Sequence, residues 1–151
     1  MPQSLAQVYL QLIFSTKDRR PLLSDPGLRH EMHAYMAAIL KDRDCPALLI
    51  NGPVDHVHIL CRLSKAEAIG KLIGETKRLT SLWIKRREPD LAEFNWQSGY
   101  GAFSVSASNV KAVQKYIAGQ EEHHKKVTFQ EELKAFLEKH GVPYDERYLW
   151  D

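Results

Sequence analysis

Residues 45–63 constrain the fold more tightly than any other part of this chain. Cys45 to Asn51 is a short apolar run, Gly52-Pro53 supplies turn chemistry, and Val54 to Leu63 is a second apolar run. The segment therefore reads as two strands paired as a hairpin. Side chains on a strand alternate with period two. His56, His58 and Leu60 then share one face of the second strand, while Val57, Ile59, Cys61 and Leu63 share the other. Two imidazoles on one strand face make half of a divalent-metal site, and they equally suit a solvent-exposed or structural pair. Asp55 beside them could orient a ring as a hydrogen-bond acceptor, or be ordinary turn polarity.

The flanking segments say what the hairpin belongs to. Leu5 to Phe14 is rich in β-formers and reads as a strand, closed by the polar turn Ser15-Thr16-Lys17-Asp18-Arg19-Arg20-Pro21. Asp25-Pro26 is an N-cap followed by proline at the first helical position, and Leu28, Met32, Tyr35, Met36, Ile39 and Leu40 form the stripe of an amphipathic helix. Ser64-Lys65-Ala66-Glu67 has the form of a capping box, opening a second helix to about Arg87, and Glu88-Pro89-Asp90 ends it. Phe94 to Ser98 is ambiguous, Gly99-Tyr100-Gly101 is a bend, and Ala102 to Ser106 alternates as a fourth strand. Ser108 could cap a third helix reaching Gln120 or slightly beyond. Thr128-Phe129-Gln130-Glu131 is another capping box, starting a last helix that stops at His140-Gly141.

The order β-α-β-β-α-β-α-α fits an α+β, ferredoxin-like (split βαβ) plan over one domain, residues 1–151: a four-stranded antiparallel sheet, two covering helices and added C-terminal helices. In that plan Val57, Ile59, Cys61 and Leu63 face the covering helices. His56 and His58 point from an open sheet face, where something else can dock.

A formal net charge of +2 does not by itself announce a nucleic-acid binder, so clustering must carry that argument. The second helix carries Lys71, Lys77, Arg78, Lys85, Arg86 and Arg87 against one acid, Glu75, before Glu88. Lys71, Arg78 and Lys85 recur at i+7 on roughly one face, and Lys17, Arg19 and Arg20 cluster after the first strand. Such groups would neutralise phosphates, although a charged helix face is often merely solvated. Trp83, Trp96 and Tyr100 could stack on unpaired bases, with core packing the better account of Trp83. Cys45 and Cys61 sit in apolar runs and read as reduced core thiols of a cytoplasmic protein. No stretch has the run of about 20 apolar residues that spans a bilayer, and the N-terminus lacks a signal-peptide pattern.

Tyr116 and Gln120 lie one above the other at i and i+4 on the third helix, a potential nucleophile beside an oxygen ligand. Glu121, Glu122, His123 and His124 crowd the same helix end, and spacing cannot rank Gln120 above Glu121, His123 or His124. Three blocks in order, His-Val-His on a strand, Trp96-Gln97-Ser98-Gly99-Tyr100-Gly101-Ala102-Phe103-Ser104-Val105-Ser106, and Tyr116-Ile117-x-x-Gln120-x-x-His123-His124, resemble the small single-tyrosine HUH transposases of bacterial and archaeal insertion sequences. The likeness runs over nearly the whole chain.

The resemblance implies a homodimer that cuts and rejoins single-stranded DNA with hairpin ends. It makes His56, His58 and Gln120 the ligands of Mg²⁺ or Mn²⁺ and Tyr116 the nucleophile, with the tyrosine helix able to serve either its own or the partner's histidines. Attack by a phenol would leave a 5′-phosphotyrosine and a free 3′-hydroxyl, conserving the bond energy for rejoining. One nucleophilic tyrosine per chain makes exchange between two ends a task for two subunits. A different reading is a ferredoxin-like protein that binds nucleic-acid hairpins, domesticated or catalytically inactive.

Overall fold

The structure is a computed structural model that describes residues 3–124 and 126–151, with Glu121 described by its backbone alone. Four strands are built from the β-forming runs: β1 (Val8–Ser15), β2 (Ala47–Asn51), β3 (His56–Leu63) and β4 (Gly101–Val105). They form one antiparallel sheet in the order β2-β3-β1-β4, the split βαβ arrangement expected of this element order. β1 begins at Val8 and not at Leu5, which is 89% exposed and has nothing to pack against.

The register assigns the two faces. His56 lies opposite Ser15, His58 opposite Ile13 and Leu60 opposite Gln11, and Gln11 in turn lies opposite Phe103. On the other face Leu10, Leu12, Phe14, Val57, Ile59 and Cys61 make the main core with α1 (Pro26–Asp42) and α2 (Ile69–Arg87). Asp25 caps α1 by accepting from the Gly27 amide at 2.9 Å. Cys45 and Cys61 are buried and free, and burial pushes the Cys61 thiol up to about 12, so it behaves as a small apolar group.

α2 starts at Ile69, later than the Ser64–Glu67 pattern suggests. The Ser64 hydroxyl accepts from the Ala66 amide at 3.2 Å, and distant partners have taken the rest of the capping set. The Ser64 amide donates to Cys45 Sγ at 3.3 Å, and the Glu67 carboxylate accepts from Arg43 Nη2 at 2.9 Å. The third helix also differs. Ser108 lies inside a 3₁₀ turn (Ala107–Asn109) with its hydroxyl 3.2 Å from that of Ser106, and α3 runs from Val110 to Ala118. Gly119 interrupts it before a single turn, α4 (Gln120–His123).

The sheet face bearing the histidines is not open. α3 docks on it through Ile117, whose carbonyl accepts from Asn51 Nδ2 at 3.0 Å. α5 (Phe129–Lys139) begins at the anticipated Thr128–Glu131 capping box and lays Phe129, Leu133 and Leu137 on Ile13 and Phe103, a second hydrophobic cluster. Gly101 permits the approach, since a Cβ there would stand 3.0 Å from the Phe103 ring and 3.2 Å from Leu133. The chain then folds back along the same face, where Leu149 and Trp150 pack against this cluster and the Asp151 carbonyl accepts from the Gly99 amide at 2.8 Å. Among the described residues no helix is long and apolar enough to cross a membrane.

Candidate metal and tyrosine site

Strand alternation carries His56 and His58 to the face that α3, α4 and α5 cover, and both rings are fully buried. The expectation that they face open space is thus overturned: the C-terminal helices supply the docking partner from within the chain. What these helices bring is Tyr116 (α3), Gln120 (α4), His123, His124 and Glu132 (α5). All of them meet at one carboxylate.

Glu132 is 3% exposed and divides its two oxygens. Oε1 accepts from His58 Nε2 at 2.8 Å and lies 3.4 Å from His56 Nε2. Oε2 accepts from the Tyr116 hydroxyl and from Gln120 Nε2 (3.4 Å), and lies 3.1 Å from His123 Nε2 and 3.2 Å from His124 Nε2. Burial alone would raise the pKa of this carboxyl, but the imidazoles of His124, His56 and His58 outweigh it and hold the group far below the usual carboxylate range. Glu132 is therefore an anion at every working pH.

The histidines are held from behind. His56 Nδ1 stands 2.7 Å from Asp55 Oδ1, an arrangement that keeps a proton on Nδ1 and turns Nε2 toward Glu132. Burial opposes charge on His56, but the Asp55 and Glu132 carboxylates raise its pKa above the ordinary value. His58 Nδ1 contacts Gln11 Nε2 at 3.2 Å, and burial lowers its pKa to about 4. Burial first and the Glu132 carboxylate second push the Tyr116 phenol well above the normal tyrosine range. In this arrangement Tyr116 is a neutral hydrogen-bond donor.

The donor set suits a divalent cation. Ligand atoms of His56, His58, His124 and Glu132 all lie within 4.8 Å of one another. Gln120 Oε1 is buried and makes no hydrogen bond, and His56 Nε2 and His124 Nε2 face the Glu132 carboxylate without hydrogen-bond geometry. Unsatisfied buried polar atoms are costly, and a cation gives such lone pairs a partner. The anticipated residues His56, His58, Tyr116 and Gln120 are thus gathered in one place within a single chain. Glu132 was not anticipated. Its signal is an acid at i+3 from Phe129 and i−4 from Phe136, inside the apolar stripe of α5.

The basic residues divide in two. The Lys17–Arg20 turn abuts the site: the Thr16 amide donates to the Asp55 carbonyl at 2.9 Å, and Arg19 borders a cavity shared with Asp55 and His124. Lys71, Arg78 and Lys85 lie on α2, behind the sheet, and Arg78 is paired with Glu75 at 2.8 Å. Lys77 is spent on the carbonyls of Gln97 (2.8 Å) and Gly99 (2.6 Å). Of the three candidate stacking rings, Trp96 is in the core edge-on to Phe14, Trp83 is stacked on Tyr35, and Tyr100 is 46% exposed.

Two solved structures share this fold. A protein from Deinococcus radiodurans R1 described as a candidate transposase has 18% identity and a TM-score of 0.62, over 80% of this chain and 95% of its own. A REP-associated tyrosine transposase bound to a REP hairpin has 14% identity and a TM-score of 0.61, over 84% of this chain and 74% of its own. The fold is thus that of the tyrosine transposases. The sequence matches the family described as "Transposase IS200 like" over residues 4–120, and the chain belongs to that family. Among curated proteins no relative matches. The matched region contains His56, His58, Tyr116 and Gln120 and ends before His124 and Glu132.

Proposed function

We propose that this protein is a metal-dependent transposase that cleaves and rejoins single-stranded DNA at hairpin-bearing ends through a 5′-phosphotyrosine intermediate. The observation that carries the reading is the convergence of Tyr116, Gln120 and the two β3 imidazoles on one buried point of a single chain. His56, His58 and Gln120 would hold Mg²⁺ or Mn²⁺, and nitrogen-rich surroundings favour Mn²⁺. An ion held there would supply Lewis-acid polarisation of the scissile phosphate and charge stabilisation at the leaving 3′-oxygen.

The chain's own residues do the rest. Asp55 fixes the His56 tautomer, and Gln11 turns the His58 ring. Tyr116 Oη gives its proton to water and bonds to phosphorus as the bond to the 3′-oxygen breaks, and that oxygen takes a proton back from water. The phosphodiester energy is kept in the tyrosine ester, so rejoining needs no ATP. Glu132 stands between the phenol and the imidazoles, so its side chain must swing aside for the scissile phosphate to reach both. Lys17, Arg19 and Arg20 meet the strand beside the site, and Lys71, Arg78 and Lys85 offer a second, distant phosphate contact. Exchange between two ends calls for two tyrosines and hence a homodimer, each chain holding its own tyrosine beside its own histidines. Its substrate assigns its work to the nucleoid in the cytoplasm.

The burial of both imidazoles and the suppressed ionisation of Tyr116 favour a second reading, a hairpin-binding relative that does not cut. End-labelled hairpin oligonucleotides from the DNA flanking its own gene, incubated with Mn²⁺ and run on a denaturing gel, separate the two. Cleavage gives a covalent adduct with the wild type and none with Tyr116→Phe. Binding without adduct at a recognised end selects the second reading.

A further inference from the structure

We propose that the cavity beside this site receives one unpaired deoxynucleotide adjoining the scissile phosphate, with Arg19 on its phosphate and carboxylates reading its base. The inference rests on the transposase reading and goes beyond it by naming a subsite. The cavity has a volume of about 670 Å³, and its walls include Arg19, Arg29, Asp55, His124, Phe129 and Gln130. That volume is within the usual range of small-ligand sites, which combine apolar walls with a few polar groups.

Position ties the cavity to the chemistry. Asp55 is the acceptor for His56 Nδ1, and His124 Nε2 lies 3.2 Å from Glu132. DNA held at the site has its neighbouring nucleotide within reach of this opening. Arg29 is buried, and its Nη1 donates to the carbonyls of Leu23 (2.7 Å) and Ser24 (3.3 Å), so its charge is fixed in the wall. The Arg19 guanidinium lies 5.3 Å from the Trp150 ring centroid, which gives it a platform at the rim.

A second, independent feature is the backbone that presents Arg19. Asp18 and Arg19 both adopt left-handed conformations, with φ of 57° and 56°. Such conformations are unfavourable for residues with a Cβ and are retained where the surroundings over-determine them, commonly at functional sites. Here the turn is tied on both sides: the Thr16 amide to the Asp55 carbonyl (2.9 Å), the Thr16 hydroxyl to the Arg20 carbonyl (2.7 Å) and the Lys17 amide to the Asn95 carbonyl (2.9 Å). The result aims Asp18 and Arg19 at the same cavity.

The mixture of charges selects the ligand. The Arg19 guanidinium attracts a phosphate, whereas Asp18 and Asp55 accept hydrogen bonds from an exocyclic amino group, as carboxylates do from cytosine N4. Thymine offers no such donor. The subsite therefore takes an amino-bearing base, cytosine foremost, ahead of thymine.

The test is an amide-resolved NMR titration of the full chain with dCMP, dTMP and inorganic phosphate, each to about 10 mM, where weak ligands register. The expected result is that dCMP shifts the amides of Arg19, Val54, Asp55 and Gln130 and dTMP shifts them far less. Arg19→Gly relieves the left-handed backbone and removes the cation; it should raise the melting temperature yet weaken dCMP about tenfold, the loss of roughly one charge-assisted contact. Val54→Trp, which fills the cavity without touching Arg19, should abolish the shifts. Equal responses to phosphate and dCMP, no response to either, or unchanged affinity in Arg19→Gly would each overturn the proposal. The adduct assay separates the failures: an adduct without nucleotide shifts sinks the subsite alone, while shifts without any adduct keep a nucleotide site and remove the cleavage reading.

Discussion

Supplying a divalent ion to the apo protein should stabilise the fold, and the structure sets the size of the effect. Gln120 Oε1 is buried without a hydrogen bond, while His56 Nε2 and His124 Nε2 have the Glu132 carboxylate at 3.4 and 3.2 Å. Leaving a buried polar group unsatisfied costs about 1–3 kcal/mol, so a gain of that order is available when Gln120 Oε1 finds a partner. What appears as stability is limited by occupancy: at a concentration a hundred times the dissociation constant, binding to the native state alone contributes about 2.7 kcal/mol. For a chain of this size that corresponds to a rise of about 5–11 °C in melting temperature. The assay is calorimetry on EDTA-stripped protein, with and without saturating MnCl₂. His56→Ala should lose most of the rise, and excess EDTA should reverse it. A wild-type melting temperature that Mn²⁺ leaves unmoved, or a His56→Ala variant that rises equally, would refute the assignment of these donors to a metal.

Three further outcomes follow from the fold. Gly52→Ala should destabilise by more than about 2 kcal/mol in urea titrations, because its Cβ would fall 2.2 Å from the His56 carbonyl oxygen. Thr128→Ala should cost about 0.5–2 kcal/mol, since it removes the hydroxyl that accepts from the Glu131 amide at 3.2 Å, and the loss should appear first as faster hydrogen exchange in α5. His33, on α1, has its pKa lowered from 6.5 to about 4, chiefly by burial and then by the charges of His30 and Arg29. Its neutral form is the native one, so the contribution is complete above about pH 6.5 and is lost as pH falls toward 4, with a slope of up to about 1.4 kcal/mol per pH unit. His33→Gln should flatten that part of the stability–pH curve, and an unchanged slope would show that His33 titrates normally.

Which parts of this molecule could be read from sequence depends on how far away each partner lies. The faces of β1 and β3 follow from alternation within each strand, and the caps at Asp25 and Thr128 bind amides two or three residues on. Those features are local and appear as written. The Ser64–Glu67 pattern has the same local form, but Glu67 pairs with Arg43 and the Ser64 amide turns to Cys45, so long-range contacts override it. His56 and His58 share a face by strand alternation, but Tyr116 and Gln120 join them only through the family resemblance. Spacing does not rank Gln120 above Glu121, His123 or His124, and Gly119 breaks the helix between Tyr116 and Gln120. Burial of the histidines was not legible, since it depends on a helix 74 residues beyond His58 in sequence, as its bond to Glu132 records.

α5 joins the stability of the fold to the state of the site. Phe129, Leu133 and Leu137 anchor it to the sheet, while Glu132, between the first two, holds the phenol and both imidazoles. A force that lifts the helix must therefore break the apolar contact and strip four imidazoles and a tyrosine of their common anion at once. The matched family region stops at residue 120, so this coupling lies in a segment outside it. Leu133 is 4% exposed and touches no titrating group of the site by hydrogen bond, which makes it the position at which anchoring can be weakened alone. Leu133→Ala should cost about 2–5 kcal/mol and, with Glu132 still in place, speed exchange of the Tyr116-side amides more than those of α1. Equal acceleration on both faces of the sheet would mean that α5 and the main core unfold as one unit, and that the site opens only when the whole protein does.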